Sequence, residues 1–375
     1  MTSDDAAATP LRLTGVHLER TEDNVARIDA LADVAGGRVG FADVVDNLKF
    51  TARESLVGRL TGRAVDRAIA WNAHDSADPV WWPQGVTTSA DAGASGDGTW
   101  RGRRLVVTTS YAKPVDGVKR GSRISVLDLD TLRYRHVLLV DPHFDSDHRL
   151  RMAGVNIHAG GIVWAGDWLH VAATGRGFLS FHLDDLMRVG DDNLHPTRIG
   201  VLDDDARGPR LASFGHHYVL PVRHAHRAFT DEGHEPLRYS FLSLDRSSTP
   251  PGLLAGEYGR GQQSTRLARY ELDPATGLPA TDGSGTSRPV RDADGVVQMQ
   301  GVALAQGRHH VSVSRGPFLP GSMYTGTPGS LKQHWFALPV GPEDLSYWPQ
   351  TDRLWSVTEH PRRRWVVSMR RSWFD

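Results

Sequence analysis

One stretch of the chain, VNIHAGGIVWAGDWLHVAATGRGFLSFHLDDL from Val155 to Leu186, decides the fold. It contains three short segments in which apolar and polar residues alternate, and they are separated by the turn-forming sequences AGDW and TGRG. Alternation with a period of two is typical of β-strands, while Gly and Asp favour the turns between strands. The stretch therefore predicts three successive antiparallel strands joined by tight turns.

The same order of segments recurs along the chain from about residue 79 onward. A strand unit that repeats with a period near 40 residues is typical of the blades of a β-propeller. The sequence predicts an all-β fold, a five-bladed β-propeller, with a β-sandwich as the alternative. The five aligned copies have their first strands near Gln84, His158, Ser243, Gln300 and Leu345.

Glycine marks the inner strand in three of these copies, at Gly85, Gly161 and Gly301. Inner strands of a propeller crowd around the central axis, and this crowding favours Gly and other small residues. When the three glycines are aligned, His158 falls two residues earlier than Gln84 and Gln300 do. The register of the His158 copy therefore stays open.

The first part of the chain differs from the rest. We expect residues 1–78 to form a partly helical N-terminal extension and residues 79–375 to form the propeller. Apolar residues at three- and four-residue spacing predict helices within Asn24 to Gly36 and Glu54 to Trp71. Because ring closure usually joins the two chain ends, the extension is expected to pack on the propeller or to add a strand to its last blade.

Composition excludes several classes of function. The 375 residues carry a formal net charge of −1, so no overall field would attract the protein to nucleic acid or an anionic membrane. Cysteine is absent, which excludes disulfides, thiolate catalysis and Cys-ligated metals. The first residues lack a secretory pattern, and no apolar run suits a membrane helix. We expect a cytoplasmic protein that binds neither nucleic acid nor membranes, and the oligomeric state is not indicated.

Several segments resemble a family of largely uncharacterised propeller-like proteins from actinobacteria. The resemblance covers roughly Trp71 to Phe374 and implies a propeller, but it assigns no catalytic residue. Many members of the family carry export signals, and this chain lacks one at its N-terminus. The segments that carry the resemblance are PVWWPQGVTTSADA, SRISVLDLDTLRYRHVLLVDP, IHAGGIVWAGDWLHVA and SFLSLDRSSTPPGLLAGEY.

Polar residues at the heads of the copies are the first candidates for a site. In propellers, ligands generally bind at one mouth of the central channel, where such residues converge. We predict that Gln84 and Gln300 bind substrate there and that His158 acts as a catalytic acid or base. The alternative for each is a hydrogen bond to backbone carbonyls or channel water.

Glu257 is the second catalytic candidate. It lies in GLLAGEYG, where a carboxylate beside Gly in an otherwise apolar strand could serve as a general base or ligate a hard cation. Asp245 and Arg246, from the preceding segment, are predicted to bind substrate near it. The alternative for Glu257 is a structural Glu–Arg ion pair or an edge-strand charge.

Tryptophan is abundant, with 11 residues. Trp82 and Trp164 are predicted to form an aromatic wall for an apolar or sugar ligand, with packing between blades as the alternative. The sequence names no cofactor and no set of metal ligands. A divalent metal ion in the central channel, held by Glu and His and acting as a Lewis acid, is a hypothesis.

Two classes of function fit these residues. The first is an enzyme that acts on a small molecule at the channel mouth, by hydrolysis, elimination or ring closure, as in specialised metabolism. The second is a non-catalytic propeller that binds a sugar, a peptide or a partner protein.

Overall fold

The computed structural model describes residues 13–93, 95–191, 195–203, 206 and 208–375, except for the side chains of Arg291 and Asp292. Residues 1–12 of the predicted extension lie outside this part. Antiparallel sheets placed around a common axis dominate the fold, so the predicted all-β propeller class is confirmed. In the described residues, no helix is long and apolar enough to span a membrane.

The N-terminal part contains both helices and strands. Its elements are β1 (Val16–Arg20), α1 (Val25–Ala35), α2 (Gly40–Asp46), β2 (Phe50–Thr51), β3 (Arg53–Glu54), α3 (Leu56–Leu60), β4 (Val65–Ala70) and α4 (Ala73–Ala77). Helix α1 confirms the helix predicted within Asn24 to Gly36. The helix predicted over Glu54 to Trp71 is wrong in its second half, where β4 forms instead. Ladder hydrogen bonds to the C-terminal strand and burial of Ala68 and Ile69 override the local helical pattern.

The first sheet is built on β5 (Trp81–Thr88), β6 (Leu105–Ala112), β7 (Ser122–Asp128) and β8 (Arg133–Phe144), with β9 (Leu150–Gly154) paired to β8. The following strands are β10 (Ile162–Ala165), β11 (Trp168–Ala172), β12 (Gly177–His182), β13 (Met187–Arg188), β14 (Ile199–Leu202), β15 (Arg210–Ser213), β16 (Tyr218–Pro221) and β17 (His224–Thr230). Strands β10, β11, β12 and β17 form the second sheet, which β1 extends. Strands β13, β16 and β2 join the first sheet, and β14 pairs with β15.

The second half of the chain is more regular. The third sheet contains β18 (Phe241–Asp245), β19 (Gly252–Gly256), β20 (Arg266–Glu271) and β22 (Val290–Asp294), while β21 (Thr286–Ser287) pairs with β1. The fourth contains β23 (Met299–Ala305), β24 (Arg308–Arg315), β25 (Leu319–Thr327) and β26 (Ser330–Val340). The last contains β27 (Pro342–Trp348), β28 (Arg353–Thr358) and β29 (Trp365–Arg370), completed by β4 and β3. The sheets therefore differ in strand number and are not five equivalent copies.

The sheets pack against one another through side chains on both faces. On β6, Val106 packs in a core shared with the last sheet, and the next residue, Val107, packs in a core shared with the second sheet. Successive residues of a strand point to opposite faces, so one strand contributes to two cores. The first strands of the sheets contact each other in the order β5, β10, β18, β23, β27 and back to β5.

Glycine permits the close approach of these inner strands. A Cβ added at Gly85 would lie 2.8 Å from the carbonyl carbon of Gly161, and one at Gly301 would lie 2.5 Å from the nitrogen of Leu345. A Cβ at Gly161 would overlap the backbone of Leu242. These contacts support the alignment of Gly85, Gly161 and Gly301. They also place Leu242 and Asp344 at the same height along the axis as the three glycines.

Candidate functional site

The first residues of the inner strands form one mouth of the propeller. Gln84 and Gln300 each precede an axial glycine by one position, and Glu343 precedes Asp344 in the same way. Since the strands run alongside one another at matching levels, these three side chains belong to the same end of the fold. His158 lies two residues before Gly160, in the loop that enters β10.

Two glutamates, neither predicted from the sequence, accept hydrogen bonds from the two predicted glutamines. Gln84 Nε2 donates to Glu359 Oε2 at 3.3 Å, and Gln300 Nε2 lies 3.5 Å from Glu343 Oε1. Glu343 heads β27 in the segment PEDLSYW, so its position in the repeat matches that of the two glutamines. That alignment could have found Glu343, whereas Glu359 follows β28 and has no counterpart in the pattern.

The environment of these carboxyl groups favours their protonated forms. Burial, together with the charges of Glu359 and Asp344, raises the pKa of Glu343 well above its usual range. Burial also raises the pKa of Glu359, while Lys113 and the Gln84 hydrogen bond oppose that rise. Glu343 is 3% exposed, but the side chain of Glu359 is 20% exposed. Glu359 is therefore the carboxyl group that a ligand can reach.

Tyr111, Lys113 and His158 surround the two glutamates. The rings of Tyr111 and His158 are 4.6 Å apart between centroids. Burial and the nearby charges of Glu359 and Glu343 raise the pKa of Tyr111 to about 12, so its hydroxyl remains a donor. Solvent reaches the His158 ring, yet the protein atoms around it and the charge of Lys113 lower its pKa. A histidine that is neutral near pH 7 can accept a proton.

Trp82 forms one side of this mouth. Lys113 Nζ lies 3.0 Å from the centroid of a Trp82 ring, and the ring of His360 meets it edge-on at 5.8 Å. Burial lowers the pKa of Lys113 despite the opposing effect of Glu359. The structure thus places Gln84, Gln300, His158 and Trp82, all predicted from the sequence, around the same mouth.

Asp344 lies on the axis beneath the mouth. Its Oδ2 accepts hydrogen bonds from the backbone N–H groups of Val86 at 3.2 Å and Ile162 at 3.3 Å. Burial raises the pKa of Asp344 well above its usual range, although these backbone donors act in the opposite direction. Asp344 therefore joins three inner strands, β5, β10 and β27.

Glu257 is held as a structural ion pair, which was the alternative to its predicted catalytic role. The side chain is fully buried, and Arg266 donates to both of its oxygens at 2.9 Å. The backbone N–H groups of Arg238 and Arg266 donate to it as well. Burial would raise its pKa, but these donors hold the pKa below its usual value. A carboxylate occupied in this way is poorly placed to take a proton from a substrate.

Three of the predicted binding residues lie elsewhere. Asp245 and Arg246 are at the end of β18 that is remote from the mouth. There Asp245 accepts from Arg269 at 2.6 Å, and Arg246 donates to Asp91 at 2.6 Å. Trp164 is fully buried and packs edge-on against Phe41 at 5.1 Å. These residues join neighbouring parts of the fold and do not form the predicted ligand wall.

One cluster of side chains in the described residues has the spacing of potential metal ligands. Within the described ranges, the one group of three His, Asp or Glu side chains that approaches metal-binding geometry is His74, Asp75 and Asp78, on α4 and at its C-terminus. Asp75 is already engaged by the Tyr134 hydroxyl and by His136 Nε2 at 3.2 Å. The hypothesis of a channel metal therefore gains no ligand set from this geometry.

The chain matches no known protein-family profile and no curated protein. Solved structures with some similarity include a gluconolactonase from Xanthomonas campestris, with 12% identity, 85% of this chain and 84% of that chain covered, and a TM-score of 0.35. A GH43_1 enzyme from Xanthomonas citri has 9% identity, coverage of 77% and 87%, and a TM-score of 0.34. The β-propeller domain of Cps50 (Swd1) from Myceliophteria thermophila has 10% identity, coverage of 77% and 97%, and a TM-score of 0.35. Similarities this low do not indicate an activity.

Proposed function

We propose that the protein is an enzyme that hydrolyses a small molecule by general acid–base catalysis at the mouth around Glu359. One observation carries this proposal: a partly exposed carboxyl group with a raised pKa lies beside an amide donor, a cation and a protonated tyrosine. Enzymes tune a glutamate upward by burial so that it can exchange protons near neutral pH.

The proposed roles follow from exposure and charge. In its protonated form Glu359 gives a proton to the leaving group, while His158, whose pKa is lowered, takes a proton from the attacking water. Lys113 and the Tyr111 hydroxyl stabilise negative charge that develops on a substrate oxygen. Buried Glu343 accepts a hydrogen bond from Gln300 and so orients that amide at the mouth. Gln84 orients the Glu359 carboxyl group.

The test begins with a panel of chromogenic esters, lactones and glycosides. For any substrate that is turned over, Glu359→Gln and His158→Ala should each lower kcat by about 10²- to 10⁴-fold, the usual contribution of a positioned acid or base. The matched control is Glu232→Gln, at an exposed position of the loop after β17, which should leave kcat unchanged. Full activity of the Glu359→Gln variant would contradict the proposal.

A non-catalytic propeller is the second candidate, supported by the Trp82 ring at the mouth. In that case, a ligand would quench tryptophan fluorescence and bind without turnover, and Trp82→Ala would weaken binding more than Glu359→Gln would. Turnover that depends on Glu359 decides against this candidate. Elimination or ring closure instead of hydrolysis would be recognised from the products.

The number of blades, the cellular location, the type of partner and the family are also proposals. We infer that five sheets serve as blades, supported by the closed order of contacts among β5, β10, β18, β23 and β27. An experimental structure would establish that count. We also propose that the protein is cytoplasmic, and cell fractionation tests this. The small-molecule partner and membership of the actinobacterial family remain predictions.

A further inference from the structure

A second cavity lies at the opposite end of β27 from Glu343. It has a volume of about 680 Å³ and opens between the last sheet and the β6–β7 side of the first sheet. The size falls within the usual range for small-molecule sites. Six arginines and three tryptophans are among the residues that line the cavity.

Positive charge dominates the lining. Four of its six arginines have acidic partners: Arg67 pairs with Glu54 at 2.8 Å, Arg104 pairs with Asp130, and Arg353 and Arg370 share Asp66. Nearby Asp128 is engaged by Arg103. Six arginines against Glu54, Asp66 and Asp130 leave about three positive charges, an excess that attracts anions.

Two of the arginines have no acidic partner among the residues that the structure describes. Among the described side chains, neither Arg59 nor Arg63 forms an ion pair, and both are exposed at the edge of the cavity. They lie on α3 and on the turn that leads to β4. Arginine presents a planar set of donors that binds phosphate oxygens in pairs. These two side chains are therefore available for a ligand.

Two tryptophans contribute apolar surface to the lining. Trp348 and Trp355 both line the cavity and are 2% and 3% exposed, so only a small part of each ring faces it. Ligand sites commonly combine such apolar surface with a few charged groups that fix the ligand's orientation.

We propose that this cavity binds a small molecule that carries a phosphate group. The three excess charges suit a dianionic phosphate better than a single carboxylate, and the volume exceeds what inorganic phosphate alone would fill. The inference is independent of the catalysis proposed at the Glu359 mouth. It assigns to the protein a second site on its other face.

Isothermal titration calorimetry with inorganic phosphate, pyrophosphate, AMP and succinate tests the proposal. Pyrophosphate or AMP should bind with 1:1 stoichiometry and more tightly than inorganic phosphate or succinate. The Arg59→Gln/Arg63→Gln variant should bind at least about tenfold more weakly, since it removes two donors of charge-assisted hydrogen bonds. Both side chains are exposed, so this variant is expected to fold.

The matched control is Arg149→Gln/Arg362→Gln, which removes the same charge at exposed positions outside the cavity. It should retain wild-type affinity. Three outcomes would overturn the proposal: no saturable binding of AMP or pyrophosphate, equal weakening in the control, or equal affinity for succinate.

Discussion

The amide of Gln84 donates a hydrogen bond to the carboxylate of Glu359 across 275 positions of the chain, with Nε2 3.3 Å from Oε2. Gln84 lies on the innermost strand of the first sheet, and Glu359 follows the second strand of the last. The contact therefore exists only because the first and last sheets are neighbours in the ring. It also connects a residue predicted from the sequence to the carboxyl group on which the proposed chemistry depends.

The pH dependence of activity should reveal this arrangement. Lys113 lowers the pKa of Glu359, the proposed acid, so Lys113→Gln should raise that pKa and move the alkaline limb of kcat/KM to higher pH. Because Lys113 also lowers the pKa of His158, the proposed base, the acidic limb should move in the same direction. Lys119→Gln, at an exposed position of the same hairpin, should leave both limbs in place. Carbon NMR titration of labelled glutamates provides the same measurement without a substrate. An unchanged Glu359 titration in Lys113→Gln would show that the two groups do not interact.

The crowding at the axis predicts a large loss of stability for Gly161→Ala. Its Cβ would overlap the backbone of Leu242, and such overpacking typically costs about 1–3 kcal/mol or more. The control is Gly175→Ala in the same sheet, because a Cβ there meets no atom within 4 Å. Urea unfolding at pH 7 measures both variants. Similar unfolding midpoints would mean that the inner strands can separate easily.

A buried histidine network predicts acid sensitivity. His170 Nδ1 lies 2.8 Å from Ser180 Oγ, which is 2.9 Å from His226 Nε2. Burial lowers the pKa of His170 to about 4, although its hydrogen bond to Gly277 opposes the change. Between pH 6.5 and about 4, the unfolded state binds a proton here that the folded state does not, so stability should fall as the pH decreases.

His170→Gln removes this proton uptake and should flatten the dependence of the unfolding free energy over that interval. His234→Gln, in an exposed loop, is the control and should follow the wild type. Thermal unfolding at half-unit pH steps makes the comparison. If His170→Gln loses stability with acid as steeply as the wild type does, His170 is not responsible.

The ion pair of Glu257 with Arg266 predicts a structural phenotype. Glu257→Gln leaves buried arginine charge without its partner and should lower the free energy of unfolding by several kcal/mol, within the roughly 3–5 kcal/mol seen for broken buried pairs. In a double-mutant cycle with Arg266→Gln, the effects should be clearly less than additive. The pH profile of kcat/KM should stay unchanged in any folded variant. A shifted profile would return Glu257 to the list of catalytic candidates.

Local pattern and tertiary contact contributed differently to this protein. Alternation, turns and their repetition predicted the propeller class and the crowding glycines Gly85, Gly161 and Gly301, since strand pairing within a sheet uses neighbouring segments. The same repeat brought Gln84 and Gln300 to one mouth. These properties follow from periods that can be counted along the chain.

Contacts between distant segments decided the rest. Residues 65–70 have a helical pattern but form β4, because the edge of β29 offers hydrogen bonds and a buried surface. The sequence around Glu257 suggests a catalytic base, and only the tertiary structure shows that Arg266 forms an ion pair with it. Glu359 has no motif, and its raised pKa arises from burial and from partners far along the chain. The sequence determined which strands form and where they crowd. Only closure of the ring determined which charged groups meet. The reason is that desolvation and ion pairing depend on neighbours that no local period in the sequence encodes.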